Sequence, residues 1–180
     1  MSDFCGLLEA QIPPLRRYAR ALLRDVSRAD DLIQDTLVRA LAKQHLWQEG
    51  TNLRAWLFTL LHNQHINNIR QYSREDTAID VDEMSTTLVA NTDPTASCQL
   101  RELELALALL PNEQRQVILL VGLEGMRYEQ AAQILNVPIG TVRSRLFRGR
   151  ESLRKMLDVG ESLVADIPGE PAAAPQALAA

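Results

Sequence analysis

Residues Tyr128–Leu157, YEQAAQILNVPIGTVRSRLFRGRESLRKML, decide how this chain is read. Ala131, Ala132, Ile134 and Leu135 give the first part an apolar helical face, with small residues where a second helix can come close. Asn136 follows where the chain must reverse, and asparagine tolerates the left-handed backbone better than most non-glycine residues. Pro138 suits the first position of a new helix, because its φ is fixed and it has no N–H to leave unbonded. Val142, Leu146, Leu153 and Leu157 recur at helical spacing and are expected to face a core. Arg143, Arg145, Arg148, Arg150, Arg154 and Lys155 fill the rest of that helix, against one acid, Glu151. A short helix, a tight turn and an arginine-rich second helix make the pattern of a helix-turn-helix DNA reader. An ordinary helical hairpin with a solvated basic face shares the local pattern, so the rest of the chain must separate the two.

The net charge of −4 over 180 residues looks wrong for a DNA binder until it is divided along the chain. Residues 1–72 carry nine basic and seven acidic groups, and residues 99–157 carry nine and six. Residues 73–98 carry one basic group and six acids, and residues 158–180 carry four acids and no base. Positive folded parts thus alternate with negative connectors, and such a module is expected to bind DNA weakly without a partner. Arginine supplies nearly all the basic groups; the lysines are Lys43 and Lys155. Its planar fork suits phosphates and guanines, although genomic composition can produce the same bias. No apolar run is long enough to span a membrane, so membrane insertion is not expected. The opening MSDFCGLLEA lacks a basic start and a long apolar segment, so no secretory signal is expected. Cys5 and Cys98 form neither a ligand pair nor a disulfide framework, which fits the cytoplasm.

The pattern predicts an all-α chain of two small helical domains joined by an acidic flexible linker. Leu7, Leu8, Ile12, Leu15, Ala19, Leu22 and Leu23 form a stripe over 3–24, with regular helix expected to begin near Pro14. Ser27 offers an N-cap with Asp30 three residues on, opening a helix over about 28–46. Asp30, Asp31, Gln34 and Asp35 crowd its first turns, where acids complement the helix dipole. After a turn at Gly50, a third helix is predicted over about 53–72. Trp56, Leu57, Leu60, Leu61, Ile66 and Ile69 make its buried side, with Trp47 and Trp56 as core anchors. Its other side is polar: Arg54, His62, Asn63, His65, Asn67, Asn68 and Arg70. Three asparagines within six residues are poor helix formers, and their side chains can pair with base edges while arginines meet phosphates.

Residues 73–98 read as the acidic linker. A helix over 96–110 carries Leu100, Leu103, Leu107 and Leu110 and is broken by Pro111. Another, over 112–123, contributes Val117, Ile118, Leu120 and Val121 before Gly122–Gly125 turn the chain into the helix-turn-helix. The Pro- and Ala-rich residues 158–180 are expected to be a disordered tail. His62 and His65 have no Cys beside them and no carboxylate one turn away, so no metal site and no cofactor are expected. No nucleophile elbow or phosphate loop occurs, which argues against an enzyme.

Four segments together, RADDLIQDTLVRAL, NLRAWLFTLLHN, LPNEQRQVILL and the helix-turn-helix, resemble a bacterial RNA polymerase sigma factor of the extracytoplasmic-function class. The resemblance spans about residues 10–157. It implies that Asp31, Leu32, Gln34 and Asp35 contact the core RNA polymerase. It implies that the third helix reads and opens the −10 element, with Arg54, Asn63, Asn67 and Arg70 as candidates and Asn63 near a pocket for an extruded base. Many members carry aspartate where Asn67 stands. The helix-turn-helix would read the −35 element through Thr141, Arg143, Ser144, Arg145 and Arg148. Promoter DNA, core polymerase and an anti-sigma factor are the implied partners, and the linker would thread the polymerase toward its RNA exit path. A stand-alone regulator with the same C-terminal motif is the alternative; it would bind paired half-sites in duplex DNA without the polymerase.

Overall fold

A computed structural model describes residues 4–75 and 98–157, and every regular element among them is helical. Helix α1 spans Phe4–Leu23 and runs through Pro13 and Pro14 instead of starting at them. The reason lies in the tertiary structure. Phe4 packs on Trp47 with ring centroids 5.6 Å apart and edge-on to Trp56 at 6.4 Å, and Leu8 is buried. Those contacts hold the first turns helical although two proline N–H groups are missing from the ladder. Arg24, at φ 58°, makes the sharp link to α2, Val26–Ala42. Its N-cap is Asp25, whose carboxylate accepts from Arg28 N at 3.0 Å, and not Ser27 as the capping pattern predicted. The helix ends earlier than expected and a 3₁₀ turn follows over Gln44–Leu46.

Asn52 opens α3, Leu53–Glu75, by accepting from Ala55 N at 3.0 Å. Helix α1 packs on α2 and α2 on α3, around Leu15, Tyr18, Leu32, Leu57, Phe58 and Leu61. Tyr18 meets the Phe58 ring edge-on at 5.2 Å. The expected linker lies outside the described residues except where α3 runs on to Glu75 and α4 begins at Cys98, and the expected tail lies wholly outside them.

Helix α4, Cys98–Leu109, buries Ala106 and Ala108, with Leu110 just beyond it, while Leu100 and Leu103 of the predicted stripe stay exposed. Helix α5 covers Asn112–Ile118 and then widens into a π-helical turn over Leu119–Leu123, where a plain helix was predicted. Helices α6, Tyr128–Leu135, and α7, Ile139–Leu157, follow. Asn136 between them is left-handed, at φ 52°, as its position predicts. Pro138 sits just before α7, its carbonyl accepting from Thr141 N and Val142 N. Val142, Leu146 and Leu153 are buried as expected, and Gly149 joins them. A Cβ on Gly149 would lie 2.5 Å from Ile118 Cδ1, so the bare glycine lets α5 and α7 approach closely. The core residues of α1–α3 and α5–α7 form one contiguous cluster, because α3 packs on α6 and α1 on the π-helical turn.

Candidate functional site

Three polar surfaces and one buried polar seam stand out. The first surface belongs to α6 and α7. Gln130 fixes the start of α6 by accepting from Arg127 N at 3.0 Å, and the left-handed Asn136 turns the chain so that α7 crosses its partner. Because Val142, Leu146, Gly149 and Leu153 face inward, Arg143 and Arg148 face solvent with Phe147 between them. The Arg143 guanidinium lies 6.0 Å from the Tyr128 ring centre. Ser144 and Thr141 are half-buried, the Ser144 hydroxyl donating to Thr141 O at 3.0 Å. Arg145 is turned inward and binds Glu113 of α5 at 2.7 Å, with a fifth of its side chain exposed. Glu113 thereby ties the arginine helix to its neighbour.

The second surface is the outer stripe of α3. Asn63, Asn67 and Arg70 are exposed and share one side of the helix. Arg54 does not join them. At about 100° per residue, nine positions place it roughly half a turn away from Asn63. The third surface is a groove of about 360 Å³ lined by Asp31, Gln34 and Asp35 of α2 with Asn68 and Gln71 of α3. Gln64, buried beneath it, donates to Asp35 at 3.1 Å and to Asn68 at 3.0 Å, which fixes the orientation of both. Leu32 is fully buried in the core, so it shapes α2 from within and offers no exposed contact.

The seam runs between the N-terminal and C-terminal helices. The Glu124 carboxylate, with none of its side chain exposed, accepts from Arg17 Nε at 2.9 Å and Nη2 at 2.8 Å. Arg54 Nη2 adds a bond of 2.6 Å to the same carboxylate and one of 2.9 Å to the Glu124 carbonyl. Donation of hydrogen bonds to Glu124 raises the Arg17 pKa above its ordinary value, despite partial desolvation. Arg115 donates across the seam to Leu22 O at 3.0 Å while capping Ala108 O and Leu110 O at the end of α4. Its pKa is lowered by burial and by nearby Arg24. His62 and His65 are buried in α3. Burial lowers the His62 pKa. His65 is pushed down to about 4 by burial, then by His62 and Arg115, against a hydrogen bond with Asn112.

Comparison with known proteins identifies the family. The family described as "Sigma2 domain of PhyR" matches residues 8–62, and the one described as "Sigma-70, region 4" matches residues 100–153. The ECF RNA polymerase sigma factor EcfG of Rhodopseudomonas palustris (strain TIE-1) is 41% identical over 150 residues, covering 83% of this chain and 82% of the relative. The chain belongs to the extracytoplasmic-function RNA polymerase sigma factors. The sigma factor RpoE of Bartonella quintana, solved with the anti-sigma factor NepR, superposes with a TM-score of 0.80 at 37% identity. That match covers 88% of this chain and all but 1% of RpoE's solved chain, which it spans to 99%. CnrH, solved with the cytosolic domain of CnrY, gives a TM-score of 0.63 at 25% identity over 86% of this chain and 87% of that one.

This sigma factor is therefore a promoter-specificity subunit that directs RNA polymerase to promoters and starts transcription. Among the described residues, no helix is long and apolar enough to cross a membrane. Asp31, Gln34 and Asp35 come together at one groove, Asn63, Asn67 and Arg70 on one stripe, and Arg143 and Arg148 on another. Arg54 and Arg145 are drawn instead into ion pairs with Glu124 and Glu113. No local signal in the sequence marks Glu124 or Arg17. They lie 107 residues apart, Glu124 reads as part of a turn, and no local periodicity links the two.

Proposed function

We propose that residues 1–72 bind core RNA polymerase and read the −10 element, that residues 99–157 read the −35 element, and that residues 73–98 connect them. One observation carries this division. The Asn63–Asn67–Arg70 stripe and the Arg143–Arg148 stripe lie on helices from different halves of the chain, and both are turned to solvent instead of into packing. On α7, arginines spaced beside half-buried Ser144 and Thr141 suit a helix whose N-terminal turns enter the major groove. On α3, uncharged asparagine amides suit base edges made available by strand separation. Extruding a base costs a few kcal/mol of stacking, which a pocket near Asn63 must offset. The groove at Asp31, Gln34 and Asp35 offers two carboxylates to basic groups of the polymerase, and Gln64 holds that of Asp35 in place.

The protein supplies binding and positioning, and bond making is left to the polymerase, so it needs neither a catalytic site nor a cofactor of its own. It acts in the cytoplasm, where core polymerase and DNA are found. An anti-sigma protein is its antagonist; the solved complexes of RpoE with NepR and CnrH with CnrY support that reading. Run-off transcription with purified core polymerase tests the whole. Initiation is expected at a subset of genomic promoters sharing two upstream motifs. Specific binding to paired duplex half-sites without polymerase, and no initiation with it, would instead favour a stand-alone regulator.

A further inference from the structure

We propose that Glu124, Arg17 and Arg54 form a latch that holds the C-terminal helices shut against the N-terminal ones, and that this latch must open before both promoter elements are read. The need for opening follows from dimensions. Elements centred near −35 and −10 are about 25 base pairs apart, or roughly 85 Å at about 3.4 Å per pair. A compact chain of about 130 residues has a radius of gyration of only about 14 Å. With α3 packed on α6 and α1 on the π-helical turn, the two reading stripes cannot reach both elements at once. The halves must separate, and the contacts of Glu124 across the seam must break.

The construction of the seam suits a contact that breaks and reforms. Glu124 lies just past the π-helical turn, with its N–H bonded to Leu119 O at 3.0 Å, and Met126 N reaches back to Leu120 O at 2.9 Å. Such widened turns are frequent at functional positions. Gly125, left-handed at φ 64°, then leads the chain away. Arg17 grips both carboxylate oxygens and Arg54 grips one oxygen and the carbonyl, so the carboxylate is held from α1 and α3 together. A purely apolar seam of this size would be at least as stable, and its separated faces would be adhesive. A buried carboxylate and two half-exposed arginines hold specifically when closed and are readily hydrated when open. Arg54 links the latch to promoter reading. It is tied up while the seam is closed and becomes available to DNA only when Glu124 lets go, a link that rests on the function proposed above.

Small-angle scattering of the full-length chain without polymerase tests the latch directly. Glu124→Gln is expected to shift the population toward open forms, raising the radius of gyration by roughly 5 Å or more. Arg17→Met, on the exposed side of α1, should shift it the same way by a smaller amount and with unchanged helical circular dichroism. Arg17→Met decides the matter should Glu124→Gln lose helicity. Both variants should also form initiation-competent complexes with core polymerase several-fold faster. Scattering curves that match the parent for every well-folded variant would overturn the latch. Opened variants with parental rates of complex formation would overturn its gating role. Failure of the parent itself to initiate would sink the sigma reading while leaving the scattering result intact.

Discussion

Helices α3 and α7 both carry polar stripes proposed to read DNA, yet they are built on opposite plans. Helix α7 buries one narrow line, Val142, Leu146, Gly149 and Leu153, and leaves Arg143, Phe147 and Arg148 exposed between half-buried neighbours. Helix α3 is hemmed in on several sides, by α1 and α2 and by the C-terminal α6. Its polar residues are consequently divided. His62, Gln64 and His65 are 9%, 7% and 4% exposed, while Asn63 and Asn67 between and beyond them face solvent. On a helix with one buried line, a polar residue off that line is a surface residue. On a helix with neighbours on several sides, it is as often part of a seam.

The contrast can be broken most forcefully through pH. The folded His65 pKa, about 4, lies below the ordinary 6.5, so the unfolded chain takes up the proton first. Its contribution is intact above 6.5 and is lost as pH falls toward about 4. The expected loss between pH 7 and pH 4 is roughly 3 kcal/mol. Urea unfolding of the parent and His65→Asn across that window isolates it from the carboxylates. Parallel curves for the two proteins would mean that His65 is not desolvated and that α3 is as open as α7.

Gly149→Val probes the single buried line of α7. Its side chain must displace Ile118, and a loss of about 1–3 kcal/mol of stability is expected, read as a lower denaturation midpoint. A variant as stable as the parent would show that α5 and α7 are not closely packed. Next in size is a split between two arginines of one helix. Arg148→Ala should reduce −35-dependent initiation about tenfold, equivalent to about 1–2 kcal/mol, with no change in melting. Arg145→Ala should lower melting temperature as well, because it loses the bond to Glu113. Equal melting for the two would return Arg145 to the exposed set. The smallest effect is expected on α3, where Asn63→Ala removes about 1 kcal/mol of hydrogen bonding and reorders promoters by their −10 sequence. An unchanged promoter ranking would take Asn63 out of the reading stripe.

Much of α7 and its turn was legible because the signals are local. The left-handed Asn136, the proline after it and the buried Val142, Leu146 and Leu153 all follow from spacing and backbone preference over a few residues. The start of α1 departs from its local pattern for the complementary reason. Two prolines are a strong local signal, and the contacts of Phe4 with Trp47 and Trp56, which outweigh it, come from tens of residues away. The π-helical turn was likewise hidden, since Leu119–Leu123 is an unremarkable apolar run until its neighbours are placed.

By itself the sequence determined an all-helical fold, the helix-turn-helix, the acidic cluster on α2 and the family resemblance, because each rests on side-chain periodicity or contiguous motifs. Tertiary structure alone decided which polar residues are on display. Arg54 and Arg145 are withdrawn into ion pairs, Gln64 becomes a support, and Glu124 is carried from a turn to the centre of a seam. The reason is that an ion pair depends on distance in space. Arg17 and Arg54 meet Glu124 only after the packing of nonpolar side chains has folded the two ends of the chain together.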